Sequence, residues 1–222
     1  MKTLKFLVLV LFLSPLFTNG KAFSQDTWEY RNQIKFTPLR TLNLLNPGFE
    51  VSYERKYAKK IATQVSMAYL VDLFTFTPCK DYNGYRFLLE EKLYLFKHRF
   101  FMQYASLEGG YYAANMIRTS TFERKDTGLS SDRLVYDDTY HLKRTGIIFN
   151  TKYGVQFLFD SFVMDVSVGL GIITHTIVHS NRAYPDDELA LLYGPNYYYM
   201  WEVEGKRSIL NFPFSLKIGY SF

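Results

Sequence analysis

The chain repeatedly alternates large apolar with small or charged residues, and the two classes keep to opposite phases. In "FPFSLKIGYSF", Phe212, Phe214, Leu216, Ile218, Tyr220 and Phe222 share one phase, against Pro213, Ser215, Lys217, Gly219 and Ser221. "GFEVSYERK" sets Phe49, Val51 and Tyr53 against Glu50, Ser52 and Glu54. "FVMDVSVGLGI" sets Met164, Val166, Val168 and Leu170 against Asp165, Ser167, Gly169 and Gly171. "FNTKYGVQFLF" sets Phe149, Tyr153, Val155 and Phe157 against Asn150, Lys152, Gly154 and Gln156. A period of two belongs to strands, whose successive side chains point to opposite faces. The chain is therefore expected to be all-β, with one apolar face and one polar face.

The pattern predicts about eight strands, near 32–45, 48–56, 61–72, 85–96, 100–113, 145–159, 162–177 and 208–222. The connections at 57–60, 97–99 and 160–161 are short. Those at 73–84, 114–144 and 178–207 are long, polar and aromatic, and only 45–48 is short on that side. An even number of strands, with short turns at one end and long loops at the other, is the signature of a closed antiparallel transmembrane β-barrel.

A soluble barrel has an apolar interior, so the side on which the charges fall decides between the two kinds. One phase carries Glu50, Glu54, Glu90, Lys92, Glu108, Lys152, Asp165 and Lys217. Such a face cannot form a dry interior at the desolvation cost of isolated charges. It suits a polar lumen in which opposite charges pair, with the apolar phase facing lipid. Glu91 falls on the apolar phase, where a bulge or a rim position would accommodate it. Gln103 is also out of place there, and Pro38 interrupts the first strand.

Composition agrees. Aromatic residues make up 18% of the chain, with 19 Tyr and 20 Phe. Aromatics favour strands and membrane interfaces. Mean hydropathy is only −0.13, too low for a helical membrane protein. Residues 1–24 pair a basic start, Lys2 and Lys5, with the apolar run Phe6–Phe17 and small residues at Ala22 and Ser24. They are expected to be a secretory signal peptide, leaving 25–222 as one barrel domain. Without Lys2, Lys5 and Lys21, 26 Lys+Arg become 23 against 21 Asp+Glu, too balanced for nucleic-acid binding. Cys79 is the one cysteine, so it has no internal disulfide partner.

"LKIGYSF", with Gly219, Tyr220 and Phe222, resembles the C-terminal signal of bacterial outer-membrane barrels. In those proteins the barrel-assembly machinery reads the last strand. "IKFTPLRTLNLLNPGFEVSYERKY", with its Tyr53-Glu54 pair, resembles small uncharacterised outer-membrane barrel proteins of the Bacteroidetes, of OmpA/OmpX-like eight-stranded architecture. The resemblance implies a Gram-negative outer membrane, with its lipids and lipopolysaccharide as surroundings. It implies no activity.

Three constellations were weighed for chemistry. Lipid A deacylases of the outer membrane use His, Ser and Glu on one barrel face. His175 and His179 lie beside Ser180, but adjacent strand residues diverge, so the spacing does not match. The acidic clusters Asp137-Asp138 and Asp186-Asp187-Glu188 lack the spacing of a calcium loop. The aromatic group Tyr193, Tyr197, Tyr198, Tyr199 and Trp201 suggests an external recognition surface or a loop cap. The expectation is a non-enzymatic outer-membrane barrel with a packed lumen and no cofactor or metal. Its role would be envelope structure or surface contact, with an external partner that the sequence does not identify. A lipid-modifying enzyme and a narrow channel or carrier are the alternatives.

Overall fold

The computed structural model describes residues 32–40, 47–71, 79–98, 101–124, 135–159, 161–190 and 201–222. Among these residues ten strands form: β1 (Asn32–Phe36), β2 (Gly48–Ala58), β3 (Ile61–Val71), β4 (Cys79–Lys97), β5 (Phe101–Glu123), β6 (Val135–Phe159), β7 (Phe162–Ser180), β8 (Glu188–Leu189), β9 (Gly205–Asn211) and β10 (Phe214–Ser221). All pairings between them are antiparallel. Each strand from β1 to β7 pairs with the next, and β10 pairs with both β7 and β1. The sheet is thus a ring, and no edge is left along the paired part.

β9 and β10 are two halves of one strand. Gly171↔Asn211 and Phe214↔Val168 lie in a single register along β7, bridged by Gly169 N–H donating to the Pro213 carbonyl. Proline has no N–H to give, so the ladder breaks at Phe212-Pro213 without a change of phase. Counted this way, the ring has eight strands.

Several expected boundaries move. The first strand ends at Phe36, because Pro38 starts a 3-10 turn, Pro38–Arg40; residues 41–46 lie outside the described part. The stretch expected as the loop 114–144 is largely strand, since β5 runs to Glu123 and β6 begins at Val135. β4 begins at Cys79 and β7 runs to Ser180. In these extensions the outward face is polar and the inward face carries Met116, Phe122, Tyr140 and Leu142, so the apolar phase changes sides. Backbone pairing still favours continuing the ladder. At about 3.3 Å per residue, β4 to β7 stand well above β1 to β3 on the long-loop side.

Side chains alternate as expected, but with the soluble arrangement inverted. Ser52, Glu54, Gln64, Glu90, Lys92, Asn150, Lys152, Gln156, Asp165 and Lys217 are buried inside the ring. Outside are Val51, Tyr53, Val65, Met67, Phe87, Leu107, Ile147, Phe149, Leu170 (63% exposed), Phe212 (69% exposed) and Tyr220. Apolar clusters close both ends of the interior. Ala62, Tyr94, Met102 and Tyr104 lie at the short-turn end. Leu70, Tyr82, Met116, Phe122, Tyr140, Leu142 and Ile177 lie at the other.

Glu91 needs no bulge. It pairs in register with Thr63 and Leu107, and its carboxylate accepts hydrogen bonds from Tyr57 Oη and from Thr63 Oγ1 (2.7 Å). Gln103 accepts from Tyr153 Oη at 2.9 Å.

Ring closure depends on close approach at Gly219. A Cβ there would run into the Ile34 carbonyl and the Lys35 backbone and stem. Gly219→Val should therefore weaken the β1–β10 seam by about 1–3 kcal/mol, the usual penalty of overpacking. The expected readout is a lower urea midpoint and less of the heat-modifiable folded band. An unchanged midpoint would show that the seam does not limit stability.

Candidate functional site

The candidate site is the charged interior. At its centre four strands each contribute one charge: Lys35 from β1, Glu54 from β2, Lys92 from β4 and Asp165 from β7. Glu54 Oε2 accepts from Lys35 Nζ at 2.6 Å and from Lys92 Nζ at 2.9 Å. Asp165 Oδ2 accepts from the same two ammonium groups at 2.7 and 2.6 Å. Gln64 Oε1 accepts a third bond from each, at 3.3 and 3.2 Å. Both ammonium groups thus use all three of their donors. Tyr94 Oη donates to the second Glu54 oxygen at 2.5 Å, and Tyr104 Oη donates to the second Asp165 oxygen at 2.6 Å. Gly154 makes room for Tyr104, because a Cβ there would overlap its ring.

A second cluster lies next to the first. Lys152 Nζ is 2.8 Å from Glu90 and 2.7 Å from Glu108. Ser106 Oγ donates to Glu90 (2.7 Å), and Asn150 Nδ2 donates to Glu108 (2.7 Å). Gln64 Nε2 donates to Glu90 at 3.0 Å and so joins the two clusters. Glu50 pairs with Arg86 and accepts from Thr37 Oγ1 at 3.1 Å. Lys217 Nζ lies 3.6 Å from Glu90.

All eight charges expected on the inward phase thus lie in this interior. The sequence reading missed Lys35, Arg86 and Arg144. Lys35 was readable, since Ile34 and Phe36 bracket it in "QIKF". Arg86 was readable in the same way between Tyr85 and Phe87. Arg144 fell in a stretch taken for loop. Tyr94 and Tyr104 gave no signal, because a tyrosine fits either face.

The other expected residues are distributed as follows. Ser221 and Gly219 line the β1–β10 seam, where Phe222 exchanges backbone hydrogen bonds with Asn32. Tyr220 and Phe222 project outward, 59% and 51% exposed. Trp201 does not lie on an external surface. It is buried with Leu88, Tyr112, Ile148, Ile173 and Ile209, its ring 4.8 Å beneath the Arg144 guanidinium and 5.2 Å from His175. Tyr193, Tyr197, Tyr198 and Tyr199 lie outside the described residues, as do residues 1–24. Cys79 starts β4 and accepts from Arg118 Nη1 at 3.4 Å.

His179 and Ser180 point apart. The His179 ring packs on Tyr140, centroids 4.5 Å apart, and its Nε2 donates to the Glu202 carbonyl at 2.7 Å. Ser180 is exposed on the other face, across from His141. No carboxylate bonds the His179 ring among the described residues. Of the acidic clusters, Asp137 accepts from Thr121 (2.7 Å), Asp138 from the Ala183 N–H (2.9 Å) and Asp187 from Tyr136 (2.8 Å). They knit the outer connections together. No group of metal-ligating side chains occurs among the described residues.

No protein-family model, curated protein or solved structure matches this chain. The two clusters are fixed ion pairs between two apolar layers, an arrangement that holds the strands in register.

Glu54→Gln should leave Lys35 and Lys92 facing each other with Asp165 as their one shared carboxylate. Breaking a buried pair from one side costs about 3–5 kcal/mol, read by urea unfolding in lipid vesicles. Adding Lys92→Met, which restores one cation per anion, should recover part of that loss. A loss below about 1 kcal/mol for Glu54→Gln would contradict a role in stability.

A pH effect is expected at the outer end. Burial holds the His179 imidazole below its ordinary pKa, and Nδ1 is buried without a partner. The unfolded outer end takes up a proton near pH 6.5, whereas the packed end resists it. His179 therefore contributes stability above that pH and loses it as pH falls through the lowered folded value. Protection factors of residues 175–180, taken relative to the intrinsic exchange rate at each pH, should fall between pH 7.5 and pH 5, and His179→Phe should remove the difference. Equal protection factors at both pH values in the wild type would refute the assignment.

Proposed function

We propose that the protein is an integral outer-membrane β-barrel of a Gram-negative bacterium. It acts without catalysis in envelope structure or surface contact, through the end that carries the long connections. One observation carries the reading: a belt of exposed apolar side chains surrounds a ring whose interior is buried ion pairs. In water that distribution exposes a continuous apolar surface far larger than soluble proteins carry. In a bilayer the belt faces hydrocarbon, and every backbone group in the closed part of the ring is paired.

The belt has limits of the right kind. Its polar border runs through Asn83, Asn115 and Lys143, which the register aligns across β4, β5 and β6, and through Thr176 and Lys206 on β7 and β9. Aromatic side chains edge it on both sides. Tyr69, Tyr85 and Tyr111 lie towards the long strand ends, and Tyr57, Phe159, Phe162, Tyr220 and Phe222 lie towards the short turns. β2 and β3, each 11 residues long, match the roughly 9–11 residues of a tilted membrane strand. Export through a signal at residues 1–24 and insertion by the barrel-assembly machinery would follow from the resemblance noted above. Outer-membrane lipids and lipopolysaccharide would then be the immediate surroundings.

The interior argues for a closed lumen. An eight-stranded ring is only wide enough for side chains to fill. Here it holds paired charges, and Trp201 packs inside it.

Two measurements test the proposal. In a Cys79→Ser background, Thr119→Cys should react with a membrane-impermeant maleimide on intact cells. Lys59→Cys, on the β2–β3 turn, should react only after the outer membrane is permeabilised. The reverse pattern would overturn the orientation, and full reaction of both on intact cells would overturn the membrane span. In planar bilayers the purified protein should give almost no current. Large, stable unitary currents would replace the packed-lumen reading with a channel.

A further inference from the structure

The first and last strands part partway up the ring. Their ladder ends at Phe36↔Ile218. Above it the Pro38–Arg40 turn takes the place of β1 beside the last strand, and Pro213 interrupts that strand. Two prolines at the same seam remove two backbone donors where the strands would otherwise pair. Among the described residues, β9 pairs on one side only, with β7.

A cavity of about 150 Å³ lies at this opening. Its wall joins two surfaces that elsewhere stay apart. Leu39, Phe212 and Phe214 line it at the seam, and the last two also belong to the exposed apolar belt. Lys217 and Trp201 line it from inside, together with Glu50 and Glu108, whose charges are already met by Arg86 and Lys152. The cavity therefore crosses the wall, from the lipid-facing side to the charged interior.

Lys217 is the one interior lysine of the two clusters without a close partner. Its side chain is 4% exposed, and its contact among the described residues is Glu90 at 3.6 Å, beyond hydrogen-bond distance. Glu90 is already held by Lys152, Ser106 and Gln64. A buried ammonium with unused donors calls for an acceptor anion.

We propose that the seam cavity binds a single-chain fatty acid from the membrane, with its carboxylate on Lys217 and its chain leaving past Phe212 and Phe214 into the lipid. A cavity of this volume accommodates roughly one benzene-sized group. It therefore admits the head and the first few carbons, and the rest of the chain stays in the bilayer. Charge-assisted hydrogen bonds from Lys217 to the carboxylate would supply the contact that Glu90 does not.

The proposal rests on the membrane reading, so the test first floats the full protein with phosphatidylcholine vesicles. Failure to float rejects the membrane reading; the outcomes below concern protein that floats. A palmitate bearing a diazirine near its carboxylate is added and photolysed, and labelled peptides are mapped. Label is expected to concentrate on residues 37–39 and 212–217, and to fall at least tenfold in Lys217→Met. Glu90 keeps Lys152 in that variant, so the fold should survive. If Lys217→Met does not fold, Ser215→Trp keeps every charge, fills the cavity and should block labelling equally. A diazirine hexadecanol should label the whole belt evenly. Belt-wide labelling by palmitate, or undiminished seam labelling in either folded variant, would overturn the site. Stronger seam labelling by a lysophosphatidic acid probe would overturn the carboxylate assignment.

Discussion

The quartet of Lys35, Glu54, Lys92 and Asp165 is the contact on which the rest of the molecule depends. Its members come from β1, β2, β4 and β7, which lie around the whole ring. An ion pair on one strand pair would fix one register. This set couples four strands across the interior, including the first strand and a neighbour of the last. Two lysines and two carboxylates would repel or strand one another at any other register. A one-residue slip would turn every charge to the outer face. The quartet therefore selects the closed arrangement as well as stabilising it, and the apolar end layers keep water from competing for its bonds.

The outer surface follows from the same constraint. Filling the interior with charge leaves the large apolar residues on the opposite phase, and a pleated strand offers no third place for them. The belt is thus the counterpart of the quartet. The strand extensions on β4 to β7 obey a different rule. Beyond Asn83, Asn115 and Lys143 the outer face becomes polar, and residues 181–190 fold back over that end. There β8 pairs with the free edge of β5 through Phe122↔Leu189, and Trp201 drops into the interior.

Much of this was legible in the sequence, for identifiable reasons. The phase of Glu50, Glu54, Lys152, Asp165 and Lys217 is fixed by their neighbours, so alternation alone put them inside. The partners of those charges were not legible, because Lys35 meets Asp165 through register accumulated around the ring. The extensions 114–123 and 135–144 were hidden because Thr119, Thr121, Asp137 and Thr139 turn outward while Met116, Phe122, Tyr140 and Leu142 turn inward, which reverses the apolar phase of the belt. Trp201 was read as external from its place in a long connection. Position along the chain carries no information about whether a loop aromatic folds inward. Pro38 was recognised as a break, but its consequence, a seam that opens beside Pro213, depends on the two prolines meeting in space.

The central claim is that charge lies inside and lipid outside. Its most direct test is spin-label accessibility in reconstituted vesicles, with Cys79→Ser protein carrying a nitroxide at Phe149→Cys, on the belt, or at Thr139→Cys, on the β6 extension. The account predicts that the Phe149 label relaxes with oxygen and is shielded from a water-soluble nickel complex, and that the Thr139 label does the reverse. Free access of the nickel complex to both positions would place the belt in water and contradict the account.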